Sequence, residues 1–258
     1  MQPDPKIVQQ LQEDGFAVVP EVIDQQTVSV MRSALEEANL RQEKEWGDFL
    51  DYTDKNMVHN LMMHHQVFVD LLSNPVMHTY LSEAIDKQCI LYAYTSSSIP
   101  PKGTNFSSRV HVDSPRFIPG YTTNAGFIVA LDDFTDDNGA TYFLPGSHLS
   151  DKVPSDEEFF AKARRAYPKA GDGIVFNART FHFGGANNTD TARHAVTMNV
   201  CRSFMRQRFD YPRLMPDEMV KSMDETGRRF IGYNVRVPVG LDQYYVPADQ
   251  RLYKSGQG

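Results

Sequence analysis

The tripeptide His111-Val112-Asp113 is the tightest constraint on what this 258-residue chain can fold into. An imidazole and a carboxylate two positions apart can serve one centre only if the backbone between them is extended. Alternate residues of a strand project to one face, whereas a helix splays them. The flanks agree, since Pro100, Pro101 and Gly103 precede, Val110 and Val112 are β-branched, and Pro115 and Pro119 follow. With 8 His and 33 acidic residues, composition alone yields roughly one His with an acid two places on, so the pair takes its meaning from its surroundings.

Two imidazoles and one carboxylate form a donor set that leaves positions open on a non-haem iron(II) ion. A second histidine must therefore come from elsewhere. His182 sits between two aromatics in Phe181-His182-Phe183-Gly184-Gly185, after a short apolar strand, Gly173 to Phe176, bounded by turns. Its competitors are His148, which ends the tight loop Leu144-Pro145-Gly146-Ser147-His148, and His194 on the next strand. Arg193 and His194 must face opposite ways in a strand, so only one of them looks into a given site.

Helical periodicity covers residues 4 to 13 and about 24 to 45, the second run opened by Asp24 as N-cap, and a further helix is expected over Met57 to Leu72, with another from Asn74-Pro75. The adjacent histidines in Met62-Met63-His64-His65 would point about 100° apart on such a helix, which favours packing over metal binding. From Ile90 the pattern turns to strands: Ile90 to Ser97, Phe127 to Leu131, Thr141 to Leu144, Gly173 to Phe176 and His194 to Ser203. A charged insertion, Pro154 to Pro168, reads as a solvated helix over Asp156 to Arg165.

The ordered succession of His111-Val112-Asp113, Ala130-Leu131-Asp132-Asp133-Phe134 through Asn138-Gly139-Ala140, Leu144-Pro145-Gly146-Ser147-His148, and Gly171-Asp172-Gly173 through His182 to Arg193 resembles the phytanoyl-CoA dioxygenase family of iron(II)- and 2-oxoglutarate-dependent oxygenases. The resemblance runs over roughly residues 8 to 202 and includes the opening Leu11-Gln12-Glu13-Asp14-Gly15-Phe16-Ala17-Val18-Val19. It implies a mainly β fold with outer helices, a double-stranded β-helix (jelly roll, cupin-like). One domain is then expected, with a helical layer over about 1–88, a core over about 89–204 and a C-terminal wrapping segment over about 205–258.

The resemblance assigns iron(II) to His111, Asp113 and His182, and the distal carboxylate of 2-oxoglutarate to Arg193, eleven residues beyond His182. A guanidinium suits that carboxylate because its planar fork donates two parallel charge-assisted hydrogen bonds. The chain departs from the family where a Ser commonly follows the distal His by two residues, for here the position is Gly184. Another donor is then needed, and Thr95, Ser97, Asn105, Arg109 and Thr141 are candidates. Because Asp113 is present, hydroxylation of an unactivated C–H bond with O2, releasing succinate and CO2, is favoured over halogenation, which in such scaffolds accompanies Ala or Gly at that place. Desaturation, cyclisation or stereoinversion share the first hydrogen abstraction and stay open, and a non-catalytic jelly-roll binding module is the remaining alternative.

A net charge of −7 argues against a nucleic-acid partner. Two cysteines, Cys89 and Cys201, are read as free buried thiols. With no basic-then-apolar N-terminus and no run near 18 apolar residues, no membrane association and a cytoplasmic location are expected. Arg116, close to the iron pair, and Arg202, in the cluster Arg202, Arg206, Arg208 and Arg213, suggest a small polar substrate with an anionic group, although pairing with the chain's many acids explains the cluster equally well. The sequence does not set the oligomeric state.

Overall fold

The computed structural model describes residues 1–254, so the last four residues of the C-terminal segment, 255–258, lie outside the described residues. Helix α1 (Pro5–Asp14) starts where the Asp4 carboxylate accepts from the Lys6 N–H and stops at Gly15, whose φ of 85° returns its N–H to the Leu11 carbonyl. The chain passes directly into β1 (Phe16–Val19). Helix α2 (Gln25–Trp46) is capped by Asp24 and buries Val28, Met31, Ala34, Leu35 and Ala38 along one stripe.

The main sheet is antiparallel with order β1-β6-β3-β8-β2, using β2 (Ile90–Ile99), β3 (Asn124–Ala130), β6 (Gly173–Asn177) and β8 (Arg193–Cys201). A second, three-stranded sheet has order β5-β4-β7, from β4 (Tyr142–Phe143), β5 (Arg164–Arg165) and β7 (His182–Phe183). Strand alternation divides the main sheet into two faces. Tyr94, Phe127, Val129, Val196, Met198 and Val200 join α2 and the helices α3 (Gln66–Leu71) and α4 (Pro75–Ala84) in one large core. Phe16, Ile128, Ile174, Phe176 and Ala195 meet Phe143 of the small sheet in a separate core between the sheets.

Two sequence expectations fail here for identifiable reasons. No single helix runs over Met57 to Leu72; residues 57 to 60 lie along the outer edge of β2, with Ser96 N–H donating to the Val58 carbonyl and Asn60 N–H, at a left-handed φ of 54°, to that of Tyr94. The free edge of β2 needs partners for its backbone, and that demand overrides local helical periodicity. Within that span a short 3-10 turn, Leu61–Met63, and then α3 are helical, and the His65 ring caps α3 by accepting from the Val67 N–H. The insertion helix α5 (Asp156–Lys162) stops three residues early because Arg164 and Arg165 pair with Phe143 and Tyr142 as β5. Phe160 of α5 packs edge-on to Tyr142 and Phe183, so the insertion covers the outside of the small sheet.

After β8 the chain forms α6 (Tyr211–Leu214), α7 (Asp217–Ser222), α8 (Glu225–Phe230) and α9 (Leu241–Tyr244). Tyr211, Phe230 and Ile231 are buried in the helical core. Cys89 and Cys201 are free and buried. Among the described residues no helix is long and apolar enough to cross a membrane.

Gly126 of β3 is required by the inner core, because a Cβ there would lie 2.0 Å from the Phe176 ring. Gly126→Ala must displace that ring and is expected to cost about 1–3 kcal/mol, read as a lowered midpoint in urea unfolding.

Candidate active site

His111 and His182 are paired across the mouth of the space between the sheets by two reciprocal backbone hydrogen bonds, His111 N–H to the His182 carbonyl (3.0 Å) and His182 N–H to the His111 carbonyl (2.9 Å). Directly opposed residues share a face, and the two rings stand 4.1 Å apart. The amides of Asp113 and Ser114 both donate to the Ala178 carbonyl, which folds the carboxylate back toward the same space. Asp113 Oδ1 then lies 3.6 Å from each Nε2. These are the donor atoms of the single His/Asp/Glu/Cys cluster with metal-like spacing among the described residues, all within 4.8 Å of one another.

The rings are preset for a cation. His111 Nδ1 lies 2.8 Å from the Arg109 carbonyl and His182 Nδ1 3.0 Å from the Thr180 carbonyl. A carbonyl only accepts, so Nδ1 carries the proton in each ring and the Nε2 lone pairs face the shared space. Burial, helped by neighbouring His182 and opposed by Asp113, pushes the His111 pKa down to about 4, which keeps that imidazole neutral at physiological pH. His182 is held between the Phe143 and Phe176 rings, at 5.6 and 5.2 Å.

The competing histidines lie elsewhere. His148 contacts the Gln12 carbonyl near α1, and His194 bonds Ser98 Oγ on the helical side of the sheet. Alternation therefore turns Arg193 inward, where it is 3% exposed. Its guanidinium stacks on Phe134 at 4.0 Å, and Nε has no hydrogen-bond partner among the described residues. Burial lowers its pKa to about 10, against the raising pull of Asp132, so it remains a cation. A buried cation with an unused donor is costly unless an anion completes it.

Register links this cation to the triad. Arg193, Ala195, Thr197 and Asn199 alternate along one face of β8, with Ile99, Ser97 and Thr95 opposite on β2, and Asn199 Nδ2 approaches Asp113 Oδ2 at 3.4 Å. Ser97 and Thr95 thus line the path between Asp113 and Arg193. Continuing the β4/β7 register places Thr141 opposite Gly184, on the inner face shared with Phe143.

Two sequence-based assignments change. Asn105 is spent on structure: its Nδ2 donates to Ser97 Oγ and the Ser98 carbonyl, while its Oδ1 accepts from Ser107 N–H and Oγ. It pins the loop that leads to His111 and has no donor left for a ligand. Arg202 is equally committed, to Asp86 at 2.7 Å, to the Thr122 and Ile85 carbonyls, and to the Tyr121 ring. It ties the start of β3 to the end of α4, so its donors are taken up within the fold. Arg116 remains exposed on the loop after Asp113.

One residue escapes sequence reasoning. His59 pairs with Thr95 across the edge of β2 and therefore shares the inner face, with Nε2 3.0 Å from Asp54 Oδ1. No local pattern signals it, because its position depends on the unexpected strand pairing of residues 57 to 60.

Gly184 also acquires a reason. A Cβ there would lie 2.0 Å from Ser107 Oγ, so a hydroxyl from the preceding loop fills the space that a side chain at 184 would take. Gly184→Ala is expected to lose about 1–3 kcal/mol. Combining it with Ser107→Ala should return about 1 kcal/mol relative to the summed single changes, measured by a double-mutant cycle in urea.

The family model described as Phytanoyl-CoA dioxygenase (PhyH) matches residues 11–195. An uncharacterized protein of Mycobacterium tuberculosis is 32% identical over 254 residues, covering 95% of this chain and 92% of that protein. The Fe(II)/2-oxoglutarate-dependent dioxygenase nvfF of Aspergillus novofumigatus is 30% identical over 188 residues, 70% of this chain and 62% of that protein. Among solved structures, the non-heme alpha ketoglutarate dependent carbocyclase SnoK from nogalamycin biosynthesis superposes with a TM-score of 0.62 at 21% identity, over 77% of this chain and 84% of SnoK. EvdMO1 superposes equally well, with a TM-score of 0.62 at 21% identity over 76% of this chain, which spans about half (49%) of its length. These two likenesses concern the fold, an antiparallel sheet core with packed helices.

Proposed function

We propose, from the premise that this chain belongs to the phytanoyl-CoA dioxygenase family and is a non-haem iron(II)- and 2-oxoglutarate-dependent dioxygenase, that it hydroxylates an unactivated C–H bond of a small polar metabolite or natural-product intermediate. The two sheets are read as the halves of a double-stranded β-helix, and the whole chain as one catalytic domain acting in the cytoplasm.

His111, Asp113 and His182 hold iron(II) in this reading, and the donor set fits, since two neutral imidazoles and a carboxylate present their free electron pairs to one point. The observation that carries the reading is Arg193: a buried guanidinium whose Nε has no hydrogen-bond partner among the described residues, on the sheet face that leads from Asp113. It calls for an anion inside the fold, and the distal carboxylate of 2-oxoglutarate supplies one. Thr141 and Ser97 offer neutral hydroxyls beside it. When bound, iron(II), 2-oxoglutarate and O2 supply the oxidising power for C–H cleavage, with succinate and CO2 released.

The chain's own contribution is placement and exclusion. Phe143, Phe176 and Phe134 keep water from His182 and Arg193, which strengthens the charge–charge attraction they arrange. Thr95 and His59 form the wall on the β2 side. Arg116 is the group available to an anionic substrate. SnoK is a carbocyclase, and cyclisation, desaturation or stereoinversion here would begin with the same hydrogen abstraction and use the same residues, so product analysis separates them from hydroxylation.

Anaerobic titration with iron(II) and then 2-oxoglutarate tests the assignment. Wild type should develop the visible charge-transfer absorption of a chelated keto acid, Asp113→Ala should not, and Arg193→Ala should need about 10- to 100-fold more 2-oxoglutarate. A wild type without the band would overturn the reading.

A further inference from the structure

Arg179 occupies the middle of the turn that joins β6 to β7, and the carbonyls on either side of it hold the two halves of the triad. The Ala178 carbonyl accepts from both Asp113 and Ser114 N–H, at 2.9 and 3.0 Å. The Thr180 carbonyl fixes His182 Nδ1. Between them, the Arg179 side chain reaches out to two other loops. Its Nη1 donates to the Pro115 carbonyl at 3.3 Å, two residues beyond Asp113, and its Nη2 to the Ser150 carbonyl at 3.1 Å, beyond the turn Ser147–Leu149. Phe117 and Phe181 flank the guanidinium at 5.7 and 5.9 Å.

The turn itself is tied down. Arg179 N–H donates to Asn177 Oδ1, Thr180 Oγ to the Gly15 carbonyl, and Phe181 N–H to Ser147 Oγ. The loop after Asp113 has fewer ties: Pro115 has no N–H, and Arg116, Ile118, Pro119 and Gly120 are exposed. A planar fork with donors on separate edges can bridge two carbonyls that diverge in space, which a single ammonium cannot do. Within the described residues no carboxylate pairs with Arg179, so its partners are carbonyls and ring faces, and its Nε is unused.

We propose that Arg179 is a positioning residue for the metal centre. By clasping the backbone two residues after Asp113 to the turn that ends in His182, it sets the distance between the carboxylate and the imidazoles and hence the affinity for iron(II). The inference rests on the triad reading above.

Sign separates this role from plain electrostatics. A guanidinium near a dication repels it, so loss of the charge alone would tighten iron(II) binding. Loss of positioning weakens it, by about 10- to 100-fold as for other groups that orient ligands.

The experiment is anaerobic iron(II) titration of the full chain as wild type, Arg179→Met, Arg179→Lys and Asp113→Ala, with apo unfolding midpoints measured alongside. Arg179→Met keeps the stem between the two rings and should bind iron(II) about 10- to 100-fold more weakly, with an altered charge-transfer band after 2-oxoglutarate. Arg179→Lys, able to reach one carbonyl only, should fall between it and wild type. Binding by Arg179→Met that is unchanged within twofold, or tighter, overturns the proposal. If that variant does not fold, Arg179→Lys decides, and unchanged affinity there overturns it as well. A wild type that binds no iron(II), or an Asp113→Ala variant that binds it as tightly as wild type, overturns the triad reading instead.

Discussion

The reciprocal backbone pair between His111 and His182 is the interaction on which the site depends. It joins the loop after β2 to the small sheet and places two imidazoles side by side without any side-chain contact having to arrange them. Each ring is then oriented by a carbonyl two residues upstream, Arg109 for one and Thr180 for the other. A donor set oriented by main-chain groups keeps its geometry when nothing is bound. His182 is further held by Phe143, which stacks on its ring, and by Phe176, which meets it edge-on.

The second dependency is the strict alternation of β8. One residue of offset decides that Arg193 enters the space between the sheets while His194 meets Ser98 and the helical layer. A slip by one would put an imidazole inside and the cation outside, removing the anion site altogether. Pairing on both edges, with β3 and β2, excludes that slip. Close packing then sets the remaining details, as at Gly126, which leaves room for Phe176, and at Gly184, where Ser107 takes up the space.

Much of this was legible because the chemistry is written at short range. His111 and Asp113 are two apart, the flanking prolines forbid a helix, and the aromatic setting of His182 marks a packed histidine. What could not be read were features that depend on edges and loops. Residues 57 to 60 carry an acceptable helical pattern but are drawn onto β2 by its unsatisfied backbone, and His59 comes with them. Asn105 and Arg202 have the right chemistry for ligand binding, yet their hydrogen-bonding capacity is consumed by Ser97, Ser98 and Ser107 in one case and by Asp86, Thr122 and Ile85 in the other.

The sequence by itself determined the donor types and the opposite facing of Arg193 and His194, because each follows from local geometry. Tertiary structure alone decided that His59 joins the inner face beside Thr95, that Arg193 makes no ion pair among the described residues, and that Arg179 spans the loops around the triad. Those outcomes depend on which distant backbone groups find one another, and hydrogen-bond satisfaction across the whole fold is a global condition that no window of residues contains.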